Sequence, residues 1–318
     1  MNRDAKKNAV ALAGPTASGK TGIGIHLASS LGTEVISVDS RQIYRRLDIG
    51  TAKPTAAEVH RVPHHLVDFV DPSEKFSVGA FRRAVGELLP RFEEAEMIPL
   101  FVGGTGLYMK AVLEGLCPAP PASGELRLWL QRASHFPAGG LHELLGRVDA
   151  AAARKIHPND TYRLTRALEV YYLTGETLSS RQGRHRFAER PFTALVCAVR
   201  RSREDLRDRI DRRLEMMMAA GFADEVARLL QEGMDPSLPA FRAVAYPQMV
   251  RHIRGEATLR ETLDEIRRAT WQYARRQMTW FRGVEDIVWI DAEPDSSDED
   301  LAGEILSLLD TRLKGTLE

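Results

Sequence analysis

Cysteine is almost missing from this 318-residue chain. Its two thiols, Cys117 and Cys197, lack metal-ligand spacing, so they read as small core residues in a reducing compartment rather than as a redox or zinc centre. Long apolar runs are missing too: no stretch approaches a membrane span, and the opening MNRDAKKNAV has no secretory h-region. The expectation is a soluble, cytoplasmic protein without membrane contact, and a monomer. Net charge is also missing, with 44 basic against 44 acidic residues. That balance conceals an asymmetry, because Gly283–Glu318 holds two basic and eleven acidic residues, a balance of −9 that leaves +9 on Met1–Arg282. A polyanionic partner is therefore not excluded, since binding follows the local field.

What is present is glycine beside strands. Gly14–Thr21 (GPTASGKT) reads as a phosphate-binding loop. Gly14 and Gly19 let the backbone through Pro15, Thr16, Ala17 and Ser18 turn its N–H groups inward, Lys20 can reach an outer phosphate, and Thr21 can ligate magnesium. The apolar run Ala9–Ala13 before it suits a buried strand, and Thr21–Leu31 after it has helical spacing. A second strand, Glu34–Val38, ends at Asp39, which is open to three readings: magnesium ligand, general base or helix cap. Arg41–Pro54 reads as a binding loop. The adjacent His64 and His65 would face opposite ways on a strand, which argues against a transition-metal cluster. A helix over Ser77–Glu94 and a strand over Pro99–Val102 lead to a second glycine-rich turn, Gly103–Gly106, opening another helix. Two such turns predict two rims of one pocket in an α/β fold with a parallel sheet.

The run PAPPAS at Pro118–Ser123 marks a hinge, followed by helical spacing over Gly124–Thr177 and a returning strand at Phe192–Val199. The predicted organisation is a phosphate-loop core of residues 1–119 plus 191–318, with an inserted helical domain at 120–190. The basic stretch SSRQGRHRFAERP reads as an exposed loop, either solvated or touching nucleic acid. Two helix-like stretches flank Gly221; Met216–Met218 read as core, and Arg209 and Arg213 can face one anion. A basic helix over Leu259–Phe281 interleaves arginines with Trp271, Tyr273, Trp280 and Phe281, either as a platform for bases or with its aromatics packed inward. Asp295–Asp300 reads as a loosely held acidic linker before a short helix at Leu301–Leu309. On the residues alone, a transferase holding a donor competes with a kinase or NTPase holding ATP, while a nucleic-acid scaffold leaves the phosphate loop unexplained.

GPTASGKT at 14–21, DSRQIYRRLDIGTAKP at 39–54, GGTGLY at 103–108, IHPND at 156–160 with RLTRALEV at 163–170, and RRQMTWFR at 275–282 together resemble the bacterial tRNA dimethylallyltransferase family over residues 8–290. The resemblance implies a kinase-like fold that transfers a dimethylallyl group from dimethylallyl diphosphate to N6 of the adenosine 3′ of the anticodon. It also implies a requirement for Mg2+ and a helical insertion against the tRNA anticodon stem-loop. Carried over by motif, Asp39 resembles the general base, Lys20 and Thr21 the diphosphate and magnesium site, Thr105 a residue at the reacting centre, and Arg213 the arginine that neutralises diphosphate. Ser40, Arg41 and Gln42 resemble the residues that hold the target adenine. The tRNA-contacting stretches are implied at Arg127; at Tyr162, Arg163, Leu164, Thr165 and Arg166; and at Arg242, Ala243, Val244, Ala245, Tyr246 and Pro247. A further one is implied at Arg275, Arg276, Gln277, Met278, Thr279, Trp280, Phe281 and Arg282. The chain departs from the family at Ala245 and Pro247, where a glycine and often an arginine stand, and at Trp271 and Gln272, where arginines are frequent. The cysteines of the eukaryotic relatives' C-terminal zinc finger are not seen, consistent with a bacterial form.

Overall fold

Ala9–Ala13 is buried on both faces, a demand that only an interior strand of a covered parallel sheet satisfies. A computed structural model describes residues 7–133, 140–185 and 189–314. In chain order the elements are β1 (Lys7–Ala13), α1 (Lys20–Leu31), β2 (Val35–Ser37), α2 (Ala56–Arg61), β3 (His64–His65), α3 (Val78–Glu94), β4 (Leu100–Val102) and α4 (Gly106–Leu113). There follow α5 (Gly124–Ala133), α6 (Gly140–Val148), α7 (Ala150–Ala153), α8 (Thr161–Thr174) and α9 (Leu178–His185). Last come β5 (Phe192–Arg200), α10 (Arg203–Ala219), α11 (Phe222–Gln231), α12 (Tyr246–Ile253), α13 (Leu259–Arg282), β6 (Val288–Asp291) and α14 (Asp298–Lys314).

The strands form one parallel sheet in the order β3-β2-β4-β1-β5-β6. Register decides where the site lies: Val102 is level with both Leu12 and Ser37, so the chain leaves β1, β4 and β2 at one height and their turns emerge side by side. Along β1 the side chains alternate. Val10 and Leu12 pack with Ile23 and Leu27 of α1 and with Leu301, Ile305 and Leu309 of α14. Ala9, Ala11 and Ala13 pack in a second cluster with Phe81 and Val85 of α3, Tyr108 of α4 and Phe281 of α13. A third cluster joins Ile43 and Leu47 to Leu214, Phe222, Val226, Tyr246, Met249 and Ile266 from α10–α13.

The chain divides into two compact units, Met1–Leu113 with Pro191–Glu318, and Glu114–Arg190. The second has its own core of Leu130, Leu141, Leu145, Leu164 and Leu168. Within it Glu169 is fully buried and takes two bonds from Arg127 (2.9 and 3.0 Å), one from Arg166 (2.6 Å) and one from the Ser123 amide (2.8 Å). Arg166 also donates to the Pro120 carbonyl at 2.8 Å, so this carboxylate and its partners fasten the proline run to α8.

Three expectations are corrected. The acidic stretch is no loose linker: Asp298–Asp300 is the first turn of α14, where acidic side chains suit the helix dipole and Ser297 caps the Asp300 amide at 3.0 Å. Much of the expected basic loop is helix α9, while residues 186–188 lie outside the described residues. Met216 is not core but 64% exposed. Among the described residues no helix is long and apolar enough to cross a membrane.

Candidate active site

The turn after β1 wraps around its own lysine. Gly19 stands at the start of α1 with φ +95°, a left-handed conformation that suits glycine. Lys20 donates to the Pro15 carbonyl at 2.5 Å and lies 3.4 Å from Ser18 Oγ. Burial, with the nearby Arg213 adding to it, holds the Lys20 ammonium down to about 7 against the pull of Asp39. An anion placed in this loop therefore meets a lysine with much to gain from it. Thr21 follows in the first turn of α1, half-buried.

Asp39 leaves the end of β2 and faces a cavity of about 270 Å³. Its Oδ1 accepts the amides of Arg41 (2.7 Å) and Gln42 (3.2 Å), so the capping reading describes one oxygen. No hydrogen bond to Oδ2 occurs among the described residues. Thr105, in the turn after β4, accepts the Ser40 amide at 3.1 Å, and its own amide donates to Val38, which ties the β2 and β4 turns together. Tyr273 on α13 lines the same cavity, and burial, with the charge of Asp39 adding to it, pushes its hydroxyl up to about 12. It is therefore a donor throughout the physiological range.

The far wall comes from two helices. Ile210, Arg213, Leu214 and Met217 lie at i, i+3, i+4 and i+7 on one face of α10, and Ile266, Thr270 and Tyr273 line one face of α13. Arg213 donates to Thr16 Oγ1 at 3.0 Å, and burial lowers its pKa from the usual arginine value. The cavity thus holds a cationic and hydroxyl-lined part and an aliphatic part, as a short hydrocarbon bearing an anionic head requires. Arg209 does not join Arg213: it turns to the buried Asp205 at 3.1 Å, which also holds the fully buried Arg201 at 3.0 Å.

Of the residues expected at the site, Thr16, Asp39, Arg41, Arg213, Arg242, Ala243, Val244, Ala245 and Arg276 meet at this cavity. Others are turned to the protein itself. Leu164, Tyr246, Gln277 and Phe281 are buried, because the helices that carry them need them as core, so their side chains pack against the protein itself. Gln42 spends its amide nitrogen on the Ala52 carbonyl (2.8 Å), Arg41 donates to Pro239 (3.0 Å), and Arg127 and Arg166 are held by Glu169. Tyr162, Arg163, Pro247, Arg275, Thr279, Trp280 and Arg282 are exposed, while Thr165 and Met278 are half-buried. Ala245 adopts φ +85°, which explains the glycine usual at that position in the resembling family. Trp271 is flanked by Arg203 (5.6 Å) and Arg207 (4.8 Å) over its ring.

One residue was missed by sequence reasoning, and another takes a different place from the one expected. Glu225, buried on α11, accepts the amides of Asp48 (2.9 Å), Ile49 (2.8 Å) and Gly50 (3.3 Å) and the Tyr246 hydroxyl (2.6 Å). It holds the loop that brings Gly50 and Thr51 to the cavity. Gln277, expected in a tRNA-contacting stretch, instead accepts the Thr16 amide and donates to the Gly104 carbonyl. The aliphatic wall was not foreseen either, since Met216–Met218 read as core, and Glu225 carries no local signal.

Known proteins resemble the chain over most of its length. Residues 42–284 match the IPP transferase family and residues 7–68 the isopentenyl transferase family. The chain is 45% identical over 286 residues to the tRNA dimethylallyltransferase of Syntrophobacter fumaroxidans, covering 89% of this chain and 83% of that one. It is 42% identical to the tRNA dimethylallyltransferase of Geobacter sulfurreducens, covering 90% and 92%. The solved tRNA isopentenylpyrophosphate transferase of Bacillus halodurans superposes with a TM-score of 0.72 at 36% identity, covering 99% of this chain and all of that one. A eukaryotic dimethylallyltransferase acting on tRNA superposes with a TM-score of 0.83 at 25% identity, covering 98% and 80%.

Proposed function

The chain belongs to the tRNA dimethylallyltransferase family, and from that premise we propose that it prenylates N6 of the adenosine immediately 3′ of the anticodon. The donor is dimethylallyl diphosphate, the acceptors are tRNAs reading codons that begin with U, and the product is N6-dimethylallyladenosine. One observation carries the reading: Asp39, Thr16 and Arg213 line the same cavity as the aliphatic face of α10.

The chemistry follows from that lining. The bond between C1 of the donor and its diphosphate oxygen breaks as N6 attacks C1, and the proton on N6 passes to Asp39. Charge builds on the departing diphosphate, and the loop amides, Lys20 and Arg213 are the groups that meet it. Adenine N6 is a weak nucleophile because its lone pair is delocalised into the ring, so alignment matters as much as proton removal. Thr105, bonded to the Ser40 amide, and Tyr273 on the cavity wall are the hydroxyls that orient the incoming base. Flipping that base out costs a few kcal/mol, about the amount that backbone contacts from exposed arginines such as Arg275, Arg276 and Arg282 can offset.

Magnesium, when bound, neutralises charge on the leaving group. Thr21, half-buried in the first turn of α1, is the hard oxygen that the loop offers such an ion. Such an ion would rest on Thr21 and on the donor's own oxygens.

The test is incubation with labelled dimethylallyl diphosphate and separate anticodon stem-loop RNAs, followed by mass mapping of the modified nucleoside. Label is expected on the adenosine 3′ of the anticodon. Consumption of ATP with no label in any RNA would overturn the reading.

A further inference from the structure

Gln277 joins two turns that the backbone leaves separate. It lies on α13, one helical turn beyond Tyr273 and next to Arg276, both on the cavity wall, and its side chain is buried. Its Oε1 accepts the Thr16 amide at 2.8 Å, and its Nε2 donates to the Gly104 carbonyl at 2.9 Å. Both partners are main chain, one in the turn after β1 and the other in the turn after β4. Each turn carries a reacting group just beyond the bond. Thr16 Oγ1 receives Arg213, while Thr105, next to Gly104, bonds Ser40 beside Asp39.

We propose that Gln277 is a positioning residue that sets the distance between the phosphate loop and the Asp39–Thr105 side of the cavity. The inference rests on the prenyl-transfer reading above. A buried side chain that must accept from an N–H and donate to a C=O at once calls for a carboxamide, since glutamate lacks the donor and methionine lacks both. The surroundings are shaped to that amide: a Cβ on Gly104 would fall 2.2 Å from Nε2, so glycine is what admits it. The two turns sit on adjacent strands, and the chain between Thr16 and Gly104 passes through β2 and β3. The bridge therefore adds a constraint that sequence neighbours cannot supply. The departing diphosphate oxygen and the attacking N6 must be in line across C1, with Asp39 beside N6, and a misplacement of about 1 Å costs on the order of 10²-fold in rate.

The test uses full-length Gln277→Met and Gln277→Glu, with steady-state kinetics for donor and RNA, thermal melting, and amide exchange of Thr16 by NMR. For Gln277→Met, kcat falls about 10²-fold, the KM for the anticodon stem-loop stays within about twofold, and the Thr16 amide exchanges about tenfold faster or more. For Gln277→Glu, Thr16 stays protected because the acceptor remains, yet kcat still falls about tenfold through loss of the Gly104 bond. A wild-type kcat in both variants, with only the melting temperature lowered, overturns the inference and leaves a core residue. A raised KM for RNA at unchanged kcat overturns it in favour of nucleic-acid contact. A wild-type enzyme that labels no RNA defeats the functional reading instead, whereas Thr16 exchange reports on the bridge in either case.

Discussion

At Asp39 two duties meet in one carboxylate, and a single substitution separates them. Asparagine keeps an oxygen for the Arg41 and Gln42 amides but cannot take a proton, so Asp39→Asn preserves the turn and removes the base. Single-turnover transfer is expected to slow by about 10²-fold or more, with donor affinity unchanged. Transfer at the wild-type rate would leave Asp39 as a cap alone. Lys20 makes a second prediction, through pH. Its folded value of about 7 lies below the ordinary 10.5, so the unfolded chain holds more protons between those limits, and the donor-free protein gains stability as pH rises from about 7 to 10.5. A bound diphosphate favours the ammonium and reverses that preference. Donor affinity measured calorimetrically should therefore weaken above pH 7, by up to about tenfold per pH unit, and Lys20→Met should flatten the profile. An equally steep profile in Lys20→Met would assign the titration to another group.

Among the elements, α11 acts on the site without touching it. Glu225 replaces water for three consecutive amides of the 48–50 loop, and the Tyr246 hydroxyl, pushed well above its ordinary value by burial and by this carboxylate, completes the set. Glu225→Ala strands four donors in the core and should cost about 3 kcal/mol or more, read by urea unfolding. Tyr246→Phe removes one bond and should cost about 1–2 kcal/mol. Equal losses in the two variants would show that the loop does not depend on the carboxylate. These polar clasps also mark the limit of what the sequence discloses. The apolar run of β1 and the glycines after it are local patterns, and the strand and the loop follow from them. Glu225 lies among ordinary helix residues and Gln277 in a stretch that reads as a tRNA contact, while their partners are 173 to 261 residues away. No periodicity encodes a contact at that distance. For the same reason Arg127 and Arg166 read as free cations until Glu169 is found between them.

Over the whole chain the charge is divided, and the acidic end belongs to the fold. Asp291 pairs with Arg200 on the neighbouring strand. Asp298 lies so close to α1 that a Cβ on Gly22 would overlap its carboxylate, with the buried Arg201 nearby. Behind it Leu301, Ala302, Ile305 and Leu309 are buried against Ile23, Leu27 and the sheet. Two interventions therefore part company. Replacing Glu304, exposed and beyond the first turn of α14, by glutamine changes only the outer field, which 0.15 M salt screens beyond about 8 Å, and the melting temperature should barely move. Ending the chain at Ser297 removes three large apolar side chains from the core, roughly 5–9 kcal/mol at about 1.5–3 kcal/mol each. That is comparable with the roughly 5–15 kcal/mol that holds a domain together. The truncated chain should show no cooperative melt by circular dichroism and should lose donor binding, because α1, whose first turn carries Lys20 and Thr21, loses its outer packing layer. A truncated chain that melts within a few degrees of the full one would mean that the sheet and α1 hold the phosphate loop unaided.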